Sequence, residues 1–343
     1  MIKNYTNRLN KLEGRRFDYV KKSAIYSKSF EKPEHGLATK YCFEAMNEIE
    51  HSYTQATLAA AEKVYSELGL KLPQKGINVQ FEYQGSIMTN THIKLHSDID
   101  ILAILTKFYQ VDHPVLPENL YKGDSLADLR ELRKEAYNIL SLVYPKIDTT
   151  SPKALEVQLS NPDRKVDVVP CYWHLTSAYD KDPTSALHCG VQVYNLAEHK
   201  VKEDFPFLHI HYVKSKGERV DGYKKLVRLL KTLKADSETR DISLSSFEIA
   251  SLVYHIEDFR LIKPADQQLA LVHEASIQLA ALINNKSYRE TLMSPNGKEI
   301  VFGSNQAKVE ELKKLKIELD ELIADLREEL KVQEEYFQKS YVY

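Results

Sequence analysis

QGSIMTNTHIKLHSDIDILAIL, from Gln84 to Leu105, is the stretch whose reading decides the fold. INVQFEY (77–83), just before it, alternates and is rich in β-formers, which predicts a strand ended by Gly85-Ser86. Gly85 lets the chain turn sharply and lets a ligand approach closely. The turn predicts a short helix whose free N–H groups, with the Ser86 hydroxyl, form an anion seat. Eleven residues separate Ser86 from Asp98, and IDILAIL (99–105) then returns as a strand. Alternate side chains of a strand share a face, so Asp98 and Asp100 point one way while Ile99 and Ile101 pack the other way. Two carboxylates held close together repel, and a divalent cation resolves the conflict. Mg²⁺ suits the place, since it takes one or two carboxylates and completes its shell with water and substrate phosphates. A third carboxylate is needed for a two-metal site, and Asp167 in KVDVVP is the candidate, mid-strand with Val166 and Val168 on the opposite face. The set describes a nucleoside triphosphate held through metal.

Bulk properties narrow the class. The 343 residues leave room for two domains or one large bilobal body, and 43% hydrophobic with 28% charged residues is ordinary globular composition. A formal net charge of −2 argues against life on long nucleic acid and for small-molecule nucleotide chemistry. Three cysteines, Cys42, Cys171 and Cys189, have no CxxC spacing and fit a reducing cytoplasm. Neither a signal-peptide pattern nor a membrane-length apolar run is present, so a soluble cytoplasmic protein without a membrane partner is expected.

Along the chain, residues 40–70 carry apolar positions at helical spacing up to Gly69 and predict one long helix. A further helix is expected over 125–144. ALEVQLS (154–160) and KVDVV (165–169), joined by Asn161-Pro162-Asp163-Arg164, predict a hairpin. From about residue 197 the pattern is helical, at 198–213, 219–235, 245–258, 264–284 and 305–337. A mixed first half and a helical second half imply two lobes, divided as 1–200 and 201–343. Leu312, Leu315, Leu319, Leu322 and Leu326 stripe the last helix. A short coiled-coil surface and packing on the protein's own body both fit. The second is favoured, because Glu329 interrupts the repeat.

Gly85-Ser86, Asp98-Ile99-Asp100 and Asp167 together resemble the signature of the DNA-polymerase-β-like nucleotidyltransferase superfamily. Within it, QGSIMTNT…SDIDI, KVDVVPC, GYKKLVRLLKTLK and SSFEIASL resemble the CD-NTase family, the cGAS/DncV-like nucleotidyltransferases, over roughly residues 40–305. The resemblance implies an α+β, bilobal fold: a mixed β-sheet catalytic lobe and an α-helical lobe, with an NTP cleft between. It implies a cyclic oligonucleotide synthase that transfers nucleotides from NTPs such as ATP and GTP to a ribose hydroxyl, releasing pyrophosphate. The cyclic di- or trinucleotide serves anti-phage defence, and a separate effector senses the product without binding the enzyme. Asp98, Asp100 and Asp167 are the implied catalytic residues and metal ligands, holding two Mg²⁺ ions for which Mn²⁺ can substitute. Gln84, Gly85 and Ser86 are the implied nucleotide-binding turn. A monomer is expected.

The second half has its own candidates. Residues 209–236 hold eight Lys/Arg against three Asp/Glu. A solvated helix face accounts for any one of these cations, yet a triphosphate needs at least one of them. By resemblance Lys231 comes first and Arg228 second. Ser245 and Ser246 open the next helix and offer hydroxyls and free N–H groups to phosphate, and Phe247 either stacks on a base or belongs to the core. Cys171, His174, His188 and Cys189 cluster in sequence but match no common zinc spacing, and His96 is left without a role. Two other readings stay open: transfer to an RNA, protein or small-molecule acceptor, and an inactive nucleotide-binding scaffold.

Overall fold

The computed structural model describes residues 3–16, 36–93, 99–112, 121–179, 181 and 186–340, with backbone alone for 13–16 and 332–340. In chain order the elements are α1 (Tyr5–Arg16), α2 (Leu37–Met46), α3 (His51–Lys71), β1 (Val79–Gln84), β2 (Ile99–Val111) and α4 (Ser125–Ser141). Next come β3 (Lys146–Asp148), β4 (Leu155–Ser160), β5 (Asp163–Leu175), β6 (Cys189–Asn195) and β7 (Lys200–Asp204). Helices close the chain: α5 (Pro206–Arg219), α6 (Asp221–Asp236), α7 (Ser246–Tyr254), α8 (Asp258–Leu261), α9 (Ala270–Asn284), α10 (Lys286–Thr291) and α11 (Gln306–Ser340).

Two units form, one of Met1–Glu50, Asn90–Leu95 and Val213–Tyr343, the other of His51–Thr89 and His96–Tyr212. The expected division at residue 200 gives way to this one, because α1, α2 and the segment from Asn90 group with the helical second half. The expected single helix over 40–70 is two. Asn47 takes an extended conformation (φ −66°, ψ 153°) and ends α2, and α3 begins at His51. Packing explains the break. Ala38, Tyr41, Cys42, Ala45 and Met46 of α2 belong to the core of the helical unit, whereas Ala60, Ala61, Val64 and Leu68 of α3 cover the sheet.

The second unit is built on a seven-stranded mixed sheet of order β1-β2-β5-β4-β3, with β6 beside the later half of β5 and β7 beside β6. Among the described strands, only the β2–β5 pair is parallel. The predicted β4–β5 hairpin is present, its pairing starting at Ser160–Asp163. Arg164 anchors it by donating from Nε to the Thr57 hydroxyl (3.0 Å) and lying 3.7 Å from the Tyr53 ring centre. Strand alternation divides the sheet cleanly. Ile99, Ile101, Val157, Val166 and Val168 face the core under α3 and α4. Leu102, Ile104, Val169, Cys171 and Val193 form a smaller apolar patch on the other face, and that face carries the site.

The helical unit surrounds α6, whose Leu226, Val227, Leu229, Leu230 and Leu233 are fully buried. The leucine stripe of α11 packs into the same core, Leu312 to Leu322 at 0% exposure and Leu326 at 5%, so the stripe serves the protein's own body. Glu318 of α11 is buried among cations: Lys3 Nζ lies 2.8 Å from Oε2, Arg8 Nη2 3.2 Å from Oε2 and Arg240 Nη1 2.6 Å from Oε1. Glu329 caps α2 from outside by accepting from the Ala38 and Thr39 amides (2.7 and 2.9 Å). No described helix is long and apolar enough to cross a membrane.

Candidate active site

The site begins with register. Asp100 on β2 pairs with Asp167 on β5, in parallel, with Ile99–Val166 and Ile101–Val168 on either side. Neighbouring strands run about 4.8 Å apart, so the two half-buried carboxylates rise from adjacent positions on one face. Two like charges ~5 Å apart repel by about 3 kcal/mol at an effective dielectric constant near 20. Strand faces that are otherwise apolar accept such a pair when a cation joins it. The donors are hard carboxylate oxygens, the ligand type Mg²⁺ and Mn²⁺ prefer, so the residues fit a divalent ion. Asp98, two positions before Asp100, lies outside the described residues, as does His96.

Gln84 is the last residue of β1 and pairs with Asp100 from the other side. Gly85 follows with φ +96°, a value that favours glycine. Residues 86–90 then run through consecutive turns, with Met88 N–H donating to Gly85 O (3.2 Å) and Thr89 Oγ1 to Ser86 O (3.1 Å). The expected short helix is therefore replaced by turns. Asn90, at φ +54°, prevents the segment from winding into a helix. Half-buried Ser86 stays beside the end of β1, one strand from Asp100.

Lys231 and Arg228, the expected phosphate cations, are buried at 3% and 1% exposure. Arg228 donates from Nε to Met46 O (2.8 Å) and from Nη1 to Asn90 O (2.7 Å), and Lys231 Nζ donates to Thr91 O (2.9 Å). Burial lowers the Arg228 guanidinium to about 10, with Glu48 and Asp221 opposing the shift. Both side chains hold the backbone of the segment that follows the Gly85-Ser86 turn. His92 in the same segment is 2% exposed, and burial beside Lys231 and Arg228 lowers its imidazole to about 4.

Ser245 is the N-cap of α7 in a reciprocal capping box with Glu248, whose amide donates to Ser245 Oγ at 3.1 Å. The Glu248 carboxylate accepts from the Ser245 amide (2.7 Å) and pairs with Lys308 (2.6 Å). The helix terminus expected to greet a phosphate thus already holds an acid. Ser246 is exposed and Phe247 half-buried, its carbonyl accepting from Ser251 Oγ (2.7 Å).

Sequence reading missed Glu156. A two-residue turn that pairs Ser160 with Asp163 necessarily sets Glu156 opposite Asp167, as the structure does. Farther along β5, seven residues and roughly 23 Å beyond Asp167, His174 meets Asp112 at 2.7 Å through Nε2 and Glu203 at 2.6 Å through Nδ1. These three residues could gather a metal, but both ring nitrogens already face carboxylates, and the cluster stands apart from Asp100 and Asp167. His174 turns to these acids and not to Cys171 or Cys189, which are buried and free.

A mixed sheet with in-register carboxylates on one face, beside a Gly-Ser turn, fits the catalytic lobe of a nucleotidyltransferase. Residues 212–324 match the cGAS/DncV-like nucleotidyltransferase C-terminal helical domain. The chain is 31% identical over 366 residues to a c-di-GMP synthase of Flavobacteriaceae sp. genome_bin_11, covering 95% of this chain and 98% of that one. It is 31% identical over 318 residues to the cyclic dinucleotide synthase CdnE of Yersinia aleksiciae, covering 88% and 82%. Among solved structures, the STING-associated CdnE c-di-GMP synthase of Capnocytophaga granulosa superimposes with a TM-score of 0.76 at 33% identity, covering 95% and 99%. The chain belongs to the CD-NTase family of cGAS/DncV-like nucleotidyltransferases. It is a nucleotidyltransferase of the kind that makes cyclic oligonucleotides from nucleoside triphosphates.

Proposed function

We propose that this enzyme joins two GTP molecules into cyclic di-GMP, using Asp98, Asp100 and Asp167 as ligands for Mg²⁺. The observation that carries the site is the pairing of Asp100 with Asp167 on adjacent strands. Guanine as the base is supported by relatives named as c-di-GMP synthases that match nearly the whole chain. When bound, Mg²⁺ lowers the pKa of the attacking ribose hydroxyl and shields the triphosphate. Gln84, Gly85 and Ser86 seat the donor triphosphate, Ser86 donating its hydroxyl and the turn offering backbone N–H groups. The three carboxylates orient the reacting groups. The new bond forms between the ribose oxygen and the α-phosphorus as the bond to the pyrophosphate breaks and the hydroxyl proton leaves to solvent. A second transfer within the linear product closes the ring and releases a second pyrophosphate.

Arg228 and Lys231 fix the segment from Asn90, which follows the Gly85-Ser86 turn in the chain, through its carbonyls, and Ser245 caps the start of α7. The enzyme acts as a cytoplasmic monomer, a reading supported by the burial of the α11 leucines in its own core. Its product carries the anti-phage signal to a separate effector. Purified protein incubated with each NTP singly and in mixture, with Mg²⁺, then phosphatase and mass spectrometry, tests the reading. Phosphatase-resistant cyclic di-GMP from GTP alone supports it. A cyclic product without guanine would refute the base assignment, and only phosphatase-sensitive products would refute the cyclase.

A further inference from the structure

Four carboxylates stand in register across four neighbouring strands of the sheet. Asp100 on β2 pairs with Asp167 on β5, Asp167 with Glu156 on β4, and Glu156 with Asp148 on β3. Directly paired residues share a face, so the row extends the carboxylate pair away from β1. A polyphosphate approaching this row meets like charge. Lys165 offsets it: it lies two residues before Asp167, hence on the same face, and its Nζ is 2.6 Å from Glu156 Oε1. The pair remains reachable, the Lys165 side chain 47% and the Glu156 side chain 31% exposed.

Sheet order gives the pair a direction. The Gly85-Ser86 turn ends β1 on one flank of the two catalytic strands, β4 with Glu156 lies on the opposite flank, and the Lys165 side chain, carried on β5, reaches across to that flank. In-line displacement at the α-phosphorus needs the attacking oxygen on the side opposite to the departing pyrophosphate. A donor triphosphate seated at Gly85-Ser86 therefore leaves the β4 flank to the acceptor nucleotide, itself a triphosphate.

We propose that Lys165 binds the phosphates of the acceptor nucleotide and that Glu156 positions the Lys165 ammonium for that contact. The proposal rests on the donor seat assigned under the proposed function. In the first transfer the acceptor's ribose oxygen bonds to the donor's α-phosphorus and pyrophosphate departs. Lys165 touches the acceptor and not the leaving group, so its loss weakens acceptor binding while donor binding is kept.

The two nucleotides can be separated chemically. 2′,3′-Dideoxy-GTP has no ribose hydroxyl and acts only as donor. A GTP analogue with a methylene between the α- and β-phosphorus cannot be cleaved there and acts only as acceptor. Linear product from this pair, quantified by mass spectrometry, gives a separate KM for each. Lys165→Ala is expected to raise the acceptor KM at least tenfold with the donor KM within twofold, and Lys165→Arg to restore most of the affinity. Glu156→Gln is expected to raise the acceptor KM by a smaller factor. Unchanged acceptor KM in Lys165→Ala, or a rise confined to the donor KM, overturns the assignment. Absence of linear product with the wild-type enzyme would instead overturn the donor seat on which the assignment rests, and the assignment with it.

Discussion

Asp100 and Asp167 are paired residues on the parallel strands β2 and β5, each flanked by buried Ile or Val whose side chains face the opposite core. The arrangement holds two like charges side by side on a rigid base, a seat that suits a divalent cation. Asp167→Asn should therefore leave metal-free protein as stable as wild type or slightly more so, while abolishing the stabilisation that Mn²⁺ gives wild type. Thermal melts in EDTA and in excess Mn²⁺ measure both. A large loss of stability in EDTA would mean that the carboxylate serves the fold.

Arg228 and Lys231 donate to three backbone carbonyls, of Met46, Asn90 and Thr91. Truncation strands buried acceptors, each costing about 1–3 kcal/mol. Arg228→Ala should lower stability by about 2–6 kcal/mol by that reckoning, and Arg228→Lys should not restore it, because one ammonium cannot reproduce the two-pronged contact. Denaturant melts give the first quantity. If instead the variant melts like wild type and only the KM for GTP rises, the side chain is a phosphate ligand.

Ser245→Ala removes the hydroxyl half of the capping box on α7. A loss of about 0.5–2 kcal/mol is the usual consequence. Urea unfolding should show it, with the KM for nucleotide unchanged. An altered KM at unchanged stability would return Ser245 to the nucleotide.

Acid should act in two windows. His92 is held at about 4 by burial and by Lys231 and Arg228, below its ordinary value near 6.5. A lowered folded-state value means the neutral ring is favoured in the native protein, so this stability is complete above pH 6.5 and lost between pH 6.5 and 4. Burial pushes Glu318 up, but Lys3, Ser237 and Arg8 outweigh it and bring the carboxyl to about 2. Its contribution is present above about pH 4.5 and lost towards pH 2. His92→Phe should flatten the first window in a pH series of melts and Glu318→Gln the second. Unaltered profiles would contradict these environments.

Much of this was legible in the sequence. The Gly85-Ser86 break, the apolar run after Asp100 and the Asn161-Pro162 turn each reflect local chemistry, and each marks a strand boundary in the fold. Local signals failed where tertiary packing decides. Residues 40–70 keep helical spacing throughout, yet α2 and α3 bury their apolar faces in different cores, so the helix breaks at Asn47. Arg228 and Lys231 of α6 also reach the carbonyls of Asn90 and Thr91, contacts that no local pattern in the sequence reveals. Glu156 was hidden in an ordinary alternating strand, although hairpin register alone would have placed it beside Asp167.

On this reading the paired carboxylates of β2 and β5 run the nucleotide-joining reaction. Its most direct measurement is phosphatase-resistant product from GTP and Mg²⁺, by mass spectrometry, for wild type, Asp100→Asn and Asp167→Asn. Cyclic product is expected from wild type and at least a hundredfold less from either variant, each folded by circular dichroism. Wild-type yields from Asp167→Asn would contradict this reading.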